Sequence, residues 1–245
     1  MKKAVSIIVC RSVSEVPPEP DEAEILYTEE NRGFAEIVQN AIKQAKGKYV
    51  ILCGQAFEFE DCVGLINKLS ASNADIIVFD GATALKTALF KGFLPDGDKS
   101  TAEISVLLSA KSIEKSNIRP FAAEKKASAD NDRAVYSEKV QSELSAALRE
   151  FKKCKSKLAK DVYTFAVDTI CNRLTYFYAS AMLAVRNKQI SAGVLTDFDI
   201  ALKENVVLYL AMDKRFTPAN LGKLRKKNFE ISFLTAKKLE KFLKK

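Results

Sequence analysis

Cys10-Arg11, Thr28-Glu29, the stretch Cys53-Gly54-Gln55-Ala56-Phe57 and Phe79-Asp80 each end a short apolar run. Ligands of open α/β sheets settle beyond the carboxyl ends of the strands, so a small-molecule site would be built from these residues. The chemistry on offer is anion binding and carboxylate work. Arg11 and Arg32 stand near these ends, where Glu29 and Asp80 also lie. Asn31-Arg32-Gly33 precedes a helical pattern, where backbone N–H groups can face an anion; taken alone, it also reads simply as the turn that starts the helix. Histidine is absent from the chain. That excludes Ser-His and Cys-His nucleophilic catalysis, a histidine base and histidine metal ligation. Proton transfer would have to come from carboxylates, lysines or tyrosines.

Hydrophobic periodicity supplies the elements that must position these residues. Residues 5–10, 24–28, 49–53 and 74–79 are short apolar runs rich in β-branched residues, the pattern of buried parallel strands. Residues 12–22 carry Pro17, Pro18 and Pro20 and form a loop. Phe34, Ile37, Val38, Ala41, Ile42 and Ala45 recur at helical spacing, closed by Lys46-Gly47. A second helix spans 62–69. Strands alternating with helices predict a mostly parallel sheet. Further on, the pattern predicts a helix or hairpin over 85–93 and a strand over 103–109. Helical patterns follow at 135–157, 158–187, 197–212 and 235–245. The expected organisation is an α/β domain over 1–134 and a helical region with a basic tail over 135–245.

The chain has 245 residues, 47% hydrophobic and 29% charged, enough to bury a core without staples. Its start, Met1 to Ser12, places two lysines before an apolar run that Arg11 ends, which reads as a first strand rather than a leader. No stretch approaches the roughly 18 uncharged apolar residues of a membrane span; the most apolar late segment is broken by Asp168 and Arg173. The five cysteines (Cys10, Cys53, Cys62, Cys154, Cys171) are scattered without a CxxC pair. They are expected to be reduced, mostly buried thiols of a cytoplasmic protein, with Cys53 and Cys62 inert in packing.

Six phrases taken together resemble the family 2 glycosyltransferases of the GT-A fold. They are the run 5–10, Asn31-Arg32-Gly33-Phe34, Asn40-Ala41-Ile42, Ala45-Lys46-Gly47-Lys48-Tyr49-Val50, Asn73-Ala74-Asp75-Ile76-Ile77-Val78 and Lys115-Ser116-Asn117-Ile118-Arg119-Pro120-Phe121. The likeness covers residues 4–135. It implies a nucleotide-diphospho-sugar transferase-like sheet and three chemical parts. An Asp after the second strand and an Asp-Gly-Ser turn hold the base and ribose. An Asp-x-Asp holds Mg²⁺ or Mn²⁺ on the diphosphate, since hard cations take carboxylate oxygens. A later carboxylate of a Glu-Asp pair deprotonates the acceptor.

This sequence departs from each part. Gly54-Gln55-Ala56 occupies the Asp-x-Asp position, Thr28-Glu29 ends the second strand, and the Asp-Gly-Ser turn has no counterpart. The Glu-Asp pair falls on Asn131-Asp132, which makes Asp132 the candidate base. Arg11, Glu29, Asn31, Arg32, Gly54 and Gln55 are the candidate nucleotide-sugar contacts. Glu58, Glu60 and Asp61 are either substitute metal ligands or the solvated acidic start of the next helix. The ligands for the family's Mg²⁺ or Mn²⁺ are missing, so no cofactor is expected. Without a cation, a leaving diphosphate needs another stabiliser, and losing one preorganised stabiliser typically costs about 10²–10³ in rate.

Charge is concentrated at one end. Residues 213–245 carry eleven Lys/Arg against three carboxylates, which accounts for the whole net charge of +8. Phe229, Ile231, Phe233, Leu234, Leu239, Phe242 and Leu243 lie among the lysines, so the segment reads either as a solvated surface or as a contact with an anionic membrane. No nucleic-acid motif accompanies the charge, and no nucleic-acid partner is expected. Tyr163, Phe165, Tyr176, Phe177 and Tyr178 read as core, with a sugar platform as the other reading. Three function classes stay open: a divergent transferase-like protein with lost or reduced metal-dependent transfer, an active metal-independent transferase in surface-polysaccharide synthesis, and a non-catalytic binding or scaffold module. Nucleotide sugar, glycan and anionic membrane are the implied partners, and the implied location is cytoplasmic, peripheral to the inner face of the membrane.

Overall fold

The computed structural model describes residues 3–9, 21–27, 40–53, 58–91, 104, 106–122 and 136–244. The chain divides into two compact units, Met1–Ala127 with Leu158–Val162, and Ser128–Lys157 with Tyr163–Lys245.

The first unit is α/β. Its elements are β1 (Val5–Val9), β2 (Ala23–Tyr27), β3 (Tyr49–Cys53), α1 (Cys62–Ala71), β4 (Ile76–Phe79), β5 (Ala82–Lys86), α2 (Thr87–Lys91) and β6 (Ile113–Lys115). Residues 40–44 are helical as well. The strands form one sheet in the order β2-β1-β3-β5-β4-β6. β5 is antiparallel to both β3 and β4, so the other described strands all run one way. Every residue of β1 is buried, as expected of a central strand covered on both faces. Val5, Ile7 and Val9 join Tyr49, Ile51, Leu65 and Leu69 in the core of this unit.

On the other side of β1, Ser6 is buried and must be satisfied. Its hydroxyl donates to the carboxylate of Glu24, its register partner on β2. The same hydroxyl accepts from the Gly47 amide at 2.8 Å, and that amide also lies 3.3 Å from Glu24 Oε1. The Lys46 amide donates to Glu24 too. The carbonyl of Gly47 accepts from the buried Thr87 hydroxyl at 2.7 Å. Gly47 therefore does more than stop a helix. A Cβ here would lie 2.4 Å from both Ser6 N and Val5 C, and only glycine lets the chain come this close to β1.

Two sequence expectations are corrected, and one left open between helix and hairpin is resolved. The expected strand over 103–109 is helical at 104 and 106–109, and the strand lies later, at β6. Ile104, Val106, Leu107 and Leu108 are all buried; a short, wholly apolar run fits a buried helix as well as a strand. The 85–93 element resolves into the end of β5 and then α2, with β5 turned back on β4 through Asp80-Gly81, where Gly81 has φ 86°. The single helix expected over 197–212 is two, Ala192–Lys203 and Val206–Arg215. Asn205 ends the first by donating to the Leu202 carbonyl at 2.8 Å.

The second unit is helical, with α3 (Glu138–Cys154), most of α4 (Lys160–Arg186), α5 (Ala192–Lys203), α6 (Val206–Arg215), α7 (Leu221–Arg225) and α8 (Phe233–Leu243). Two of the five aromatic residues of α4 lie in the core, and Tyr163, Phe165 and Tyr176 are half-buried. Phe177 and Tyr178 are fully buried, and Phe177 packs on Phe198 at 4.5 Å between ring centroids. One charged cluster lies inside this unit. Tyr178 donates to Asp199 at 2.5 Å, and Arg225 Nε reaches the two Asp199 oxygens at 2.8 and 3.1 Å. Arg225 also pairs with Asp213 and lies 3.8 Å over the Tyr209 ring. The Arg225 and Asp199 side chains are only 9% and 12% exposed, so removing one partner would strand the other in a dry interior. Of the four described cysteines only Cys171 is buried; Cys53, Cys62 and Cys154 are half-buried, which narrows the expectation of mostly buried thiols.

Two outcomes follow from these contacts. Gly47→Ala should lower stability by about 1–3 kcal/mol through overpacking against β1, read as a shifted urea midpoint. Burial, reinforced by Asp199, pushes the Tyr178 phenol well above its ordinary value of 10.0, and burial pushes the Cys171 thiol up to about 11. Both groups keep their protons more tightly when folded, so their contribution is complete below their unfolded pKa values and is lost as pH rises through the folded ones. Unfolding midpoints should therefore fall with rising alkalinity, from Cys171 first. The part above about pH 10 should be smaller in Tyr178→Phe.

Candidate functional site

The ladders bring the strand ends into line. Val9 pairs with Tyr27 on one side and with Cys53 on the other. Across β5, Ile51 faces Ala84 and Ala84 faces Ile77, which sets Cys53 level with Ala82 and Phe79. The β3–β5 ladder itself runs only from Tyr49–Lys86 to Ile51–Ala84. On the far side of β4, Val78 pairs with Lys115, and the Ser116 amide donates to the Val78 carbonyl at 2.8 Å. The carboxyl ends of the parallel strands thus share one rim, the place where such sheets hold ligands.

The chain after β6 crosses part of this rim. The Asp80 amide donates to the Ile118 carbonyl at 3.1 Å and the Glu60 amide to the Pro120 carbonyl at 3.0 Å. The Ala122 amide donates to the Glu58 carbonyl at 2.9 Å, and Phe59 pairs with Phe121 in an antiparallel bridge. Residues 116–122 therefore link the end of β4 to the segment ahead of α1. On this link Arg119 donates to Asp80 Oδ2 from Nε at 2.9 Å and from Nη2 at 2.6 Å. The hydrogen bond and charge of Asp80, and then the charge of Glu60, raise the Arg119 pKa above its ordinary value. The rim thus presents a fixed, exposed guanidinium beside two carboxylates.

Asp61 has a local task. Its carboxylate accepts from the Gly64 amide at 2.7 Å as the N-cap of α1. Glu58 and Glu60 precede the helix instead of lying in its first turn, and their backbones are tied to residues 120–122. Among the described residues no group of three or more His, Cys, Asp or Glu is arranged to hold a metal ion.

Arg11, Glu29, Asn31, Arg32, Gly54, Gln55 and Asp132 all lie outside the described residues. The strands that lead into residues 10, 28 and 54 are described, and they end side by side. Arg119 was not among the candidate residues, although Asp80, with which it pairs, was named at a strand end. The one available signal was the phrase Ile118-Arg119-Pro120, in which proline keeps the preceding residue extended.

The architecture has a counterpart among solved structures. It is similar to Staphylococcus aureus TarS 1–349, with a TM-score of 0.52 and 12% identity over 98% of this chain and 89% of that chain. A Pyrobaculum calidifontis mannosyltransferase, PcManGT, in complex with GDP-Man and Mn²⁺, matches at a TM-score of 0.40 and 13% identity, over 98% of this chain and 88% of its own. The latter score is too low to carry an argument, and the former bears on fold alone. No protein-family model matches the chain, nor does any curated protein sequence. The fold is glycosyltransferase-like: α/β with a mostly parallel sheet, followed by a helical C-terminal region.

The capping role of Asp61 can be separated from metal binding. Asp61→Ala should cost about 1 kcal/mol of stability and Asp61→Asn almost none, because Asn caps as well as Asp. Urea midpoints with and without Mn²⁺ check this; a Mn²⁺ stabilisation that Asp61→Asn abolishes would contradict it.

Proposed function

We propose that this chain is a divergent family 2 glycosyltransferase-like protein, acting on a nucleotide sugar or glycan, in which metal-dependent transfer is lost or reduced. The observation that carries this reading is Gly54-Gln55-Ala56. It directly follows β3, which stands beside β1 in the sheet, and the sequence resemblance aligns it with the family's metal-binding carboxylates. A transferase without that cation faces the full charge of its diphosphate leaving group. In this reading residues 1–134 form the donor domain, Arg11, Glu29, Asn31, Arg32, Gly54 and Gln55 surround the nucleotide sugar, and Asp132 is the candidate base. No metal ion is required. The protein is cytoplasmic and bacterial in type, and the helical region 135–245 brings it to an anionic membrane surface through its C-terminal basic segment.

One observation favours a second reading. Arg119 is held at the rim by Asp80, and metal-independent transferases use guanidinium and ammonium groups in place of the cation. With Arg11 and Arg32 it would supply positive charge for a diphosphate, and transfer would persist without metal, serving surface-polysaccharide synthesis.

Calorimetric titration of UDP- and GDP-sugars, with and without Mn²⁺, separates these readings. Binding that ignores Mn²⁺ is the expected result. If transfer accompanies it and Arg119→Ala removes that transfer, the second reading is correct. Binding that needs Mn²⁺ would overturn the loss of metal dependence, and no binding of any nucleotide sugar would leave only a scaffold role.

A further inference from the structure

The tail is not uniformly amphipathic, and the structure sorts its apolar residues. Phe229 and Leu239 are buried, and Ile231, Phe242 and Leu243 are half-buried, with Phe242 stacked on Tyr176 at 5.0 Å between ring centroids. Phe233 and Leu234 are 59% and 71% exposed, at the start of α8. Ser232 fixes that start by accepting from the Thr235 amide at 3.2 Å. With 3.6 residues per turn, Lys237, Lys238, Lys241 and Lys244 share the outward side with Phe233 and Leu234, and all are exposed. Ala236 and Leu239 hold the opposite side in the core. Glu240, at the edge of this face, is the sole acid of the helix. Two cations flank the exposed ring, with Lys237 Nζ at 4.6 Å and the Arg186 guanidinium at 5.4 Å from its centroid.

We propose that this outward face of α8 is a contact for an anionic lipid surface, with the Phe233-Leu234 tip entering the acyl boundary and the lysines resting on headgroups. The inference rests on the reading of the C-terminal segment as membrane-facing and is independent of sugar chemistry. Two weak signals, a small apolar insertion and a basic patch, together give stable yet reversible anchoring. Lysine stems lie along apolar surface while their heads stay in water, which suits lysines one turn behind an inserted tip. A polyanion in water would pair with the lysines but leave Phe233 and Leu234 wet. That asymmetry selects lipid over nucleic acid.

The chain contains no tryptophan, so Leu234→Trp adds a sole indole reporter to the full-length protein. Its emission should shift to the blue with phosphatidylglycerol-containing vesicles and stay unchanged with pure phosphatidylcholine. Cosedimentation of the wild-type chain should show the same preference and weaken with salt. It should fall about tenfold or more in the exposed-site pair Phe233→Ser/Leu234→Ser, and likewise in Lys237→Glu/Lys238→Glu. Wild-type binding that ignores the Phe233 and Leu234 changes would overturn the α8 contact while leaving a membrane-facing segment in place. If that binding still follows the lysines and heparin competes for it, the face serves a soluble polyanion instead. Absence of any vesicle binding would overturn both the contact and the membrane-facing reading, without touching the nucleotide-sugar titration. An indole that binds without a shift would overturn insertion.

Discussion

The approach of Gly47 to β1 is the constraint on which the α/β unit depends. Ser6 is a polar residue in the most deeply buried strand, and it is tolerable there only because Glu24 and the Gly47 amide satisfy it. That contact fixes three things together: the register of β1 against β2, the exit of the 40–44 helix into β3, and, through the Thr87 hydroxyl, the start of α2. It lies at the amino end of the parallel strands, opposite the rim. The polar fastening and the candidate site are thus at opposite ends of the sheet. The rim can change its residues without disturbing what holds the strands in place.

The parallel part of the sheet was readable because strands buried on both faces are nearly continuous apolar runs, as 49–53 and 76–79 are and as 5–9 is apart from Ser6. β5 was harder. Ala82-Thr83-Ala84-Leu85-Lys86 is short and half polar, and its real signature is the Asp80-Gly81 turn in front of it. The 104–108 run misled because local pattern cannot separate a buried helix from a buried strand, and the long helix over 197–212 because apolar spacing carries on across Asn205. In the tail, composition showed lysines among apolar residues but not the helical phase. Only the phase tells that Leu239 faces inward and Leu234 outward.

The site was legible as a place more than as a set of side chains. Chain direction and strand order decide where a ligand end lies, and those follow from hydrophobic pattern. Which group at that end meets a substrate depends on loop paths, which have no periodicity to read. Asp61 illustrates the difference. Its position three residues before Gly64 is a capping spacing, yet the neighbouring Glu58 and Glu60 made the trio look like a cluster. In the fold, one caps a helix and the other two lie on a segment tied by its backbone.

The β3–β5 ladder, from Tyr49–Lys86 to Ile51–Ala84, is where the β2-β1-β3 half of the sheet meets the β5-β4-β6 half. Leu65 and Leu69 of α1 lie in one core with Val9 and Ile51 of the first half and with Ile77, Phe79 and Ala84 of the second. The helix thus clamps the two halves as well as the ladder does, and the spacing of the strand ends at the rim is set by side-chain packing as much as by backbone pairing.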